Sequence, residues 1–378
     1  MKILVDCRTF TRNIAGTAMF LKLAIQAWAK EFPEDDLLLV APQSFKPEVE
    51  NNIGSRILIK PFTFLGLRLP NFIWFLLYLP LLLFREKPDL YFTPSPAIPF
   101  ILPRKTKTLI IVHDVVNIEM GGTMEMKNKI QNILLFGRSV KKADYIWTNS
   151  NYTKEKVMQY FPKRKSTSIF SGLSVDSNVF VKKNITVEKE KQLRDKYNLG
   201  SRFLLFVGTI EPRKNLEFLL HLMPKLAERI QVKLIVVGAK GWKESNIYRL
   251  VEENESLKTN VVFPGFVPEE DLVDLYNIAD CFVSTSLNEG FGMPQLEAMM
   301  CKCPVVTAHN SAMIEVVAGR GVTVEGWQEQ KWLDEICRVV DLGRDSFYAD
   351  DLNLRQFDWT FIIKGLVRYI GSKNEIAC

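Results

Sequence analysis

Asp280-Cys281-Phe282-Val283-Ser284-Thr285-Ser286 and, one residue on, Asn288-Glu289-Gly290-Phe291-Gly292-Met293-Pro294-Gln295-Leu296-Glu297-Ala298-Met299 together form an apolar run, a turn and a helix start. The run from Asp280 to Ser286 has the length and content of a buried strand. Gly290 and Gly292 permit a sharp turn in which a ligand approaches bare backbone. Pro294 suits a first helical position, where its missing N–H costs nothing. A helix start presents unpaired N–H groups and a positive dipole end to an anion, typically a phosphate. Two carboxylates bracket this anion site, Glu289 in the turn and Glu297 about one turn into the helix. Carboxylates suit sugar hydroxyls better than phosphates, so the combination points to a sugar-nucleotide.

Working outward, the surrounding residues repeat the strand–turn–helix unit. Strands are expected at Arg202–Gly208, Lys233–Gly238, Asn260–Gly265 and Pro304–Thr307. Helices are expected at Asn215–Arg229, Lys243–Asn254, Glu269–Asn277, Pro294–Cys301, Gln328–Leu342 and Trp359–Ile370. Upstream, strands at Lys2–Asp6, Asp36–Ala41, Arg56–Pro61, Asp89–Thr93, Thr108–His113, Asp144–Thr148 and Thr167–Phe170 alternate with helices. Those helices follow Gly16 and span Lys127–Lys141 and Tyr152–Phe161. Alternation of this kind argues for doubly wound α/β domains with ligands outside the carboxyl ends of the strands. The polar, charge-rich residues 176–200 read as the boundary between two such domains, and a helical fragment Val187–Tyr197 leads into the second.

The chain has 378 residues, 47% of them hydrophobic, and a net charge of +6. That length suits two domains. The charge is uneven: residues 1–183 hold 26 Lys and Arg against 15 Asp and Glu, whereas residues 184–378 hold 23 against 28. A basic first half suits anionic membrane or phosphate-bearing ligands; a solvated face without a specific partner is the other reading. Asp6 and Arg8 interrupt the apolar run an export signal needs, and the six scattered cysteines read as reduced cytosolic thiols.

Leu69–Phe84 is uncharged but contains Pro70, Asn71 and Pro80 and falls short of a spanning helix. A helix buried against the sheet is the first expectation. The second is an interfacial helix whose aromatic side, Phe72, Trp74, Phe75 and Tyr78, dips into a bilayer.

Two further groups bear on chemistry. Gly208-Thr209-Ile210-Glu211-Pro212-Arg213-Lys214-Asn215 places two cations just before a helix that Asn215 can cap. Beside a helix start they complete a diphosphate site, Lys as a point charge and Arg as a fork; read alone, they are two exposed loop charges. His113 ends an apolar strand, where it can donate to a phosphate or sugar hydroxyl, move a proton, or serve structure by binding a loop carbonyl. The dinucleotide fingerprint, a Walker loop and Asp-x-Asp are all missing from the sequence, so no bridging metal is expected.

Glu289 through Glu297 resembles the E-x7-E motif of the GT-B retaining glycosyltransferases of family 4, and Gly208 through Asn215 resembles the phosphate loop of that family. Asp280–Val306 follows the family pattern, as does Ala143–Ser150 with its Lys-rich helix. Departures are Ala18 for a second glycine, Met19-Phe20 for a basic-aromatic pair, Met300 and Lys302 in a small-residue run, and Ile314 for a proline. They touch the acceptor-side loop and local packing.

The resemblance implies an α/β GT-B architecture of two Rossmann-like domains facing each other across a cleft. Residues 1–183 would bind the acceptor, 184–355 the nucleotide sugar, and 356–378 would pack back on the first domain. By the same resemblance Glu297 accepts the ribose hydroxyls, and Glu289 holds the donor sugar with the backbone of Gly290, Phe291 and Gly292. Arg213 and Lys214, in the loop opened by Gly208, bind the diphosphate. His113 contacts the sugar near the reacting centre, and Gly16 lets the donor phosphate lie close. The expected activity is metal-independent, retaining transfer of a hexose, mannose or similar, from a GDP- or UDP-linked donor to a saccharide hydroxyl. The acceptor is expected to be lipid-linked and to serve surface polysaccharide or lipopolysaccharide synthesis, with the protein cytoplasmic or peripheral at the cytoplasmic membrane face and no nucleic-acid partner. A sugar-nucleotide epimerase and a non-catalytic sugar-nucleotide-binding protein are the alternatives.

Overall fold

The structure is a computed structural model that describes residues 1–11, 16–45, 63–64, 67–68, 71–115, 135–164, 168–241, 245–348 and 352–374. The expected strand Arg56–Pro61 and the first half of the helix at Lys127–Lys141 lie outside those residues. The chain divides into two compact units, Met1–Ser174 with Arg355–Cys378, and Val175–Leu354.

The first unit has strands β1 (Lys2–Asp6), β2 (Asp36–Val40), a small antiparallel pair β3 (Thr63–Phe64) and β4 (Leu67–Arg68), then β5 (Leu90–Thr93), β6 (Lys107–Val112), β7 (Tyr145–Thr148) and β8 (Ile169–Ser171). Six of these make one parallel sheet in the order β2-β1-β5-β6-β7-β8. Their near-continuous apolar runs suit strands covered on both faces. The closing helix Trp359–Asn374 packs on the helix Thr17–Glu31. Thr360 Oγ1 donates to Glu31 Oε1 at 2.9 Å, Lys364 Nζ to Oε2 at 2.7 Å, and Trp359 meets Phe20 edge-on at 5.4 Å.

Residues 71–86 form one helix with a widened turn at Trp74–Tyr78. Trp74, Phe75, Leu79, Leu82 and Leu83 are buried in the sheet's core, and the Arg8 guanidinium lies 4.4 Å above the Phe75 ring. Burial against the sheet, the first expectation, is what the helix does. Trp74 and Phe75 therefore cannot belong to a bilayer-facing side; the outward side chains are Phe72, Ile73, Leu77, Leu81 and Phe84. Among the described residues no helix is long and apolar enough to cross a membrane.

The second unit has β9 (Arg202–Val207), β10 (Val232–Val237), β11 (Val261–Gly265), β12 (Cys281–Ser284), β13 (Val305–Ala308) and β14 (Val322–Val324), again all parallel, in the order β11-β10-β9-β12-β13-β14. Residues 175–183 go with this unit: Lys183 N–H donates to Asn277 Oδ1 at 2.8 Å, and Asn277 Nδ2 to Val181 O at 3.0 Å. The single helix expected over Lys243–Asn254 is two, Ser245–Glu252 and Glu255–Asn260. The break comes where the Asn254 side chain caps the second by accepting from Leu257 N–H at 3.2 Å. The helix Met313–Val317 and β14 were not anticipated; both are too short to show a period in sequence.

Strand order reverses between β9 and β12: the chain leaves β9 for β10 on one side, and β12 lies on the other. In open α/β sheets ligands settle at the carboxyl ends of the strands flanking such a point. Gly208–Lys214 follows β9, and Thr285–Met293 follows β12.

Candidate functional site

The loop after β9 turns sharply. Gly208 N–H donates to Val237 O at 2.9 Å, and Gly238 N–H to Gly265 O at 2.9 Å, so three strand ends are laced together. A Cβ on Gly238 would stand 2.0 Å from Gly208 O, so no side chain fits there. Pro212–Lys214 forms a short helical turn, and Asn215 leaves it left-handed at φ 51°. That reversal starts the helix Leu216–Ile230 and sends Arg213 and Lys214 toward the β12 loop.

There both cations meet Glu289. Lys214 Nζ lies 2.5 Å from Glu289 Oε1, and Arg213 Nη1 lies 2.7 Å from Oε2. Ser286 Oγ donates to the same Oε1 at 2.8 Å. Arg213 also donates to Asn288 O at 2.7 Å and through Nη2 to Glu211 Oε1 at 2.7 Å. Backbone and hydroxyl bonds tie the two loops: Leu287 N–H to Arg213 O at 2.8 Å, and Thr285 Oγ1 to Asn215 O at 2.9 Å. Ser311 accepts from Glu289 N–H at 3.0 Å, which fixes the carboxylate's own backbone. Burial opposes ionisation of Glu289, but the Lys214 and Arg213 charges outweigh it and hold its carboxyl below the ordinary range. Burial likewise opposes the Arg213 charge, and Glu289 more than restores it.

Gly292 precedes the helix Met293–Met300 at φ 102°, with Pro294 one position later than expected. Phe291 is buried, which pins the turn to the unit. Glu297 is buried one turn and more into that helix, and Tyr276 Oη donates to its Oε2 at 2.9 Å. Here burial prevails. The Glu297 carboxyl is pushed up to about 7, against the lowering influence of the Tyr276 bond and Lys214. The two carboxylates of the motif thus sit in opposite electrostatic settings: Glu289 is a fixed anion between cations, and Glu297 is poised to titrate near neutrality.

His113 and Gly16 lie in the first unit. His113 Nδ1 is 3.2 Å from Asn149 Oδ1 and Nε2 is 3.1 Å from Pro94 O, the loop carbonyl of the structural reading. Burial lowers its pKa although both contacts favour the proton. Gly16 opens the helix Thr17–Glu31 at φ 51°, and residues 12–15 of its loop are outside the described set. The structure therefore brings together Gly208, Arg213, Lys214, Glu289, Gly290, Phe291, Gly292 and Glu297 in one unit. Sequence reasoning missed Glu211, Tyr276 and Ser311 as partners. Ser286 carried a signal, its place at a strand's carboxyl end, whereas Tyr276 and Ser311 reach the site only through tertiary packing.

A buried carboxylate–cation cluster thus stands at a strand switch point, followed within one helix by a second carboxylate. Residues 188–342 match the family described as glycosyl transferases group 1. The chain carries a group 1 glycosyl transferase domain. The matched residues include every second-unit residue named in the site. The chain is similar to the serotype-specific mannosyltransferase WbdA of Escherichia coli, 27% identical over 291 residues, which is 71% of this chain and 34% of that protein. It is also similar to the O-antigen chain mannosyltransferase B of Escherichia coli, 32% identical over 191 residues, 50% of this chain and 49% of that one. The chain thus spans about a third to a half of the length of these relatives. Among solved structures it resembles Anabaena HepE in complex with UDP and glucose, with a TM-score of 0.69 and 18% identity over 98% of this chain and all of that one. At that identity the likeness is one of fold, and the fold is the α/β GT-B architecture expected from the sequence.

Proposed function

We propose that the protein is a hexosyltransferase that moves a hexose, mannose or similar, from a nucleotide-diphosphate sugar to a hydroxyl of a saccharide acceptor. The observation that carries this reading is the Arg213–Lys214–Glu289 cluster at the switch point of β9 and β12. It offers two cations to a diphosphate and a carboxylate to sugar hydroxyls within one hydrogen-bonded group. Glu297 supplies the acceptor for ribose hydroxyls, oriented by Tyr276. The group 1 domain and the mannosyltransferase relatives support the reaction class and the sugar; HepE, described in complex with UDP, supports a nucleotide donor.

The reaction proposed proceeds with retention and without a metal. The bond from the anomeric carbon to the diphosphate oxygen breaks, and the acceptor oxygen bonds to the same face of that carbon. The acceptor's proton passes to the departing phosphate oxygen. Arg213, Lys214 and the N–H groups at the head of Met293–Met300 stabilise the charge developing on the diphosphate. His113 is assigned to the donor sugar and Gly16 to close approach of the donor phosphate. The acceptor proposed is a lipid-linked saccharide of a surface polysaccharide, met at the cytoplasmic membrane face.

A thermal-shift screen over UDP-, GDP-, ADP- and TDP-sugars tests the donor, because a ligand that binds the folded state raises its apparent stability. Nucleotide release with and without acceptor extract then tests transfer. Glu297→Ala and Lys214→Ala are expected to weaken donor binding or turnover strongly, and Glu289→Ala to reduce sugar transfer more than nucleotide binding. Wild-type turnover in all three variants overturns the assignment.

A further inference from the structure

The helix of residues 71–86 is covered on one side only. Opposite its buried face, Ile73, Leu77, Leu81 and Phe84 recur at spacings of four, four and three and form an outward apolar stripe. Leu77 is 66% and Leu81 65% exposed, and Phe72 lies outward beside them. The widened turn keeps the stripe straight. Pro80 has no N–H to give and its ring crowds the carbonyl four residues back. The helix relaxes into a wider turn, in which Leu79 N–H reaches Trp74 O, five residues back. That turn offsets the sideways drift a four-residue spacing has on a 3.6-residue helix.

A second outward apolar pair, Phe100 and Ile101, is 62% and 63% exposed. It sits on the segment between β5 and β6, and Ile98 and Leu102 of that segment share the core that buries Trp74 and Leu83. Arg138 holds the segment rigidly. Its guanidinium lies 4.3 Å over the Phe100 ring and donates to the carbonyls of Ile98, Pro99 and Phe100 at 3.0 to 3.3 Å. The segment's far end is bonded beside the helix's end, where Thr106 Oγ1 donates to Pro88 O at 2.8 Å.

Cations rim these apolar groups. Arg85 and Lys87 end the helix, Arg104 and Lys105 end the segment, and all four are exposed. Of the two acids between them, Asp89 accepts from Lys2 N–H at 2.8 Å, and Glu86 is shared between Lys2 Nζ at 3.1 Å and the Arg85 guanidinium at 3.6 Å, a pair whose arginine stays exposed.

We propose that this face docks the first unit on an anionic lipid bilayer. The side chains of Ile73, Leu77, Leu81 and Phe84 enter the acyl boundary, Phe100 and Ile101 follow, and the four cations meet headgroup phosphates. A helix with an apolar stripe and flanking cations lies in the interface plane, and this one is too short to span. The charges favour a bilayer over a second copy of the chain. A symmetric contact through this face would set Arg85, Lys87, Arg104 and Lys105 against an identical cationic rim. The purpose of docking rests on the lipid-linked acceptor proposed above; the docking itself does not.

The test is co-sedimentation of the full chain at low salt with phosphatidylcholine vesicles, with and without phosphatidylglycerol. The wild type is expected to bind the anionic vesicles and to be released by salt. Leu77→Gln/Leu81→Gln and Arg85→Glu/Lys105→Glu each are expected to bind at least about tenfold more weakly. All four side chains are exposed, so both variants keep the wild-type melting temperature and the wild-type thermal shift with the donor sugar. Variants that sediment like the wild type, or a wild type that ignores anionic vesicles, overturn the proposal. So does a wild-type dimer that Leu77→Gln/Leu81→Gln makes monomeric with vesicle binding intact. A wild type that docks through this face but answers no nucleotide sugar keeps the docking surface and removes the transferase reading. One that binds donor but no vesicle does the reverse.

Discussion

Lys214 Nζ stands 2.5 Å from Glu289 Oε1, so the cation proposed for a diphosphate is held by the carboxylate proposed for a sugar. With Arg213 and Glu211 added, the cluster has two positive and two negative charges. Under the proposed function an arriving diphosphate is expected to compete for the cations and loosen Glu289 toward hydroxyls. Lys214→Met is expected to lower stability by only about 1–3 kcal/mol, because Arg213 and Ser286 still satisfy the carboxylate. Donor affinity is expected to fall at least about tenfold, the loss of one charge-assisted contact. Urea melts and donor titration check both; unchanged donor affinity removes Lys214 from the site.

Glu289 has a folded pKa held below its unfolded value of 4.5. Its contribution to stability is therefore complete above 4.5 and is lost as pH falls through the lower folded value. Glu289→Gln is expected to cost about 2–3 kcal/mol at neutral pH, since it leaves Lys214 without its carboxylate and Arg213 with Glu211 alone. It is also expected to flatten the acid side of the stability curve. Melting temperature from neutrality down to the acid limit, for both proteins, reads the difference.

Glu297 behaves oppositely. Its carboxyl is raised from 4.5 to about 7, so its contribution is complete below 4.5 and is lost as pH rises through about 7. The ionisation cost is about 3 kcal/mol above that pH. Glu297→Gln should be insensitive there. Tyr276→Phe removes the bond that favours the carboxylate and so raises the folded pKa further; the variant's alkaline loss should extend to higher pH than the wild type's. Parallel pH–melting curves for wild type and Tyr276→Phe contradict the role given to this tyrosine.

Gly238→Ala places a Cβ 2.0 Å from Gly208 O, where backbone rather than a flexible side chain must move. A loss of about 3 kcal/mol or more is expected. The displaced Gly208 loop carries Arg213 and Lys214, so donor affinity should fall with stability. By contrast a Cβ on Gly265 meets nothing within 4 Å, and at φ 75° Gly265→Ala costs only the left-handed strain, about 1 kcal/mol. Equal melting temperatures for the two variants speak against the laced strand ends.

Local chemistry in the chain determined much of this protein. Apolar runs four to six residues long marked strands such as β5, β9, β10 and β13, because a strand buried on both faces must be apolar throughout. Glu289, Gly292 and Pro294 marked the turn and helix start, because only certain residues tolerate those positions. Tertiary structure alone decided three things. It decided that Arg213 and Lys214, 76 and 75 residues away in sequence, close on Glu289, through the parallel pairing of β9 with β12. It separated the two carboxylates electrostatically, because desolvation depends on what packs around a group and not on its neighbours in the chain. It also turned Trp74 and Phe75 inward and Leu77 and Leu81 outward. In Leu69–Phe84 nearly every position is apolar, so no period in the sequence tells one face from the other.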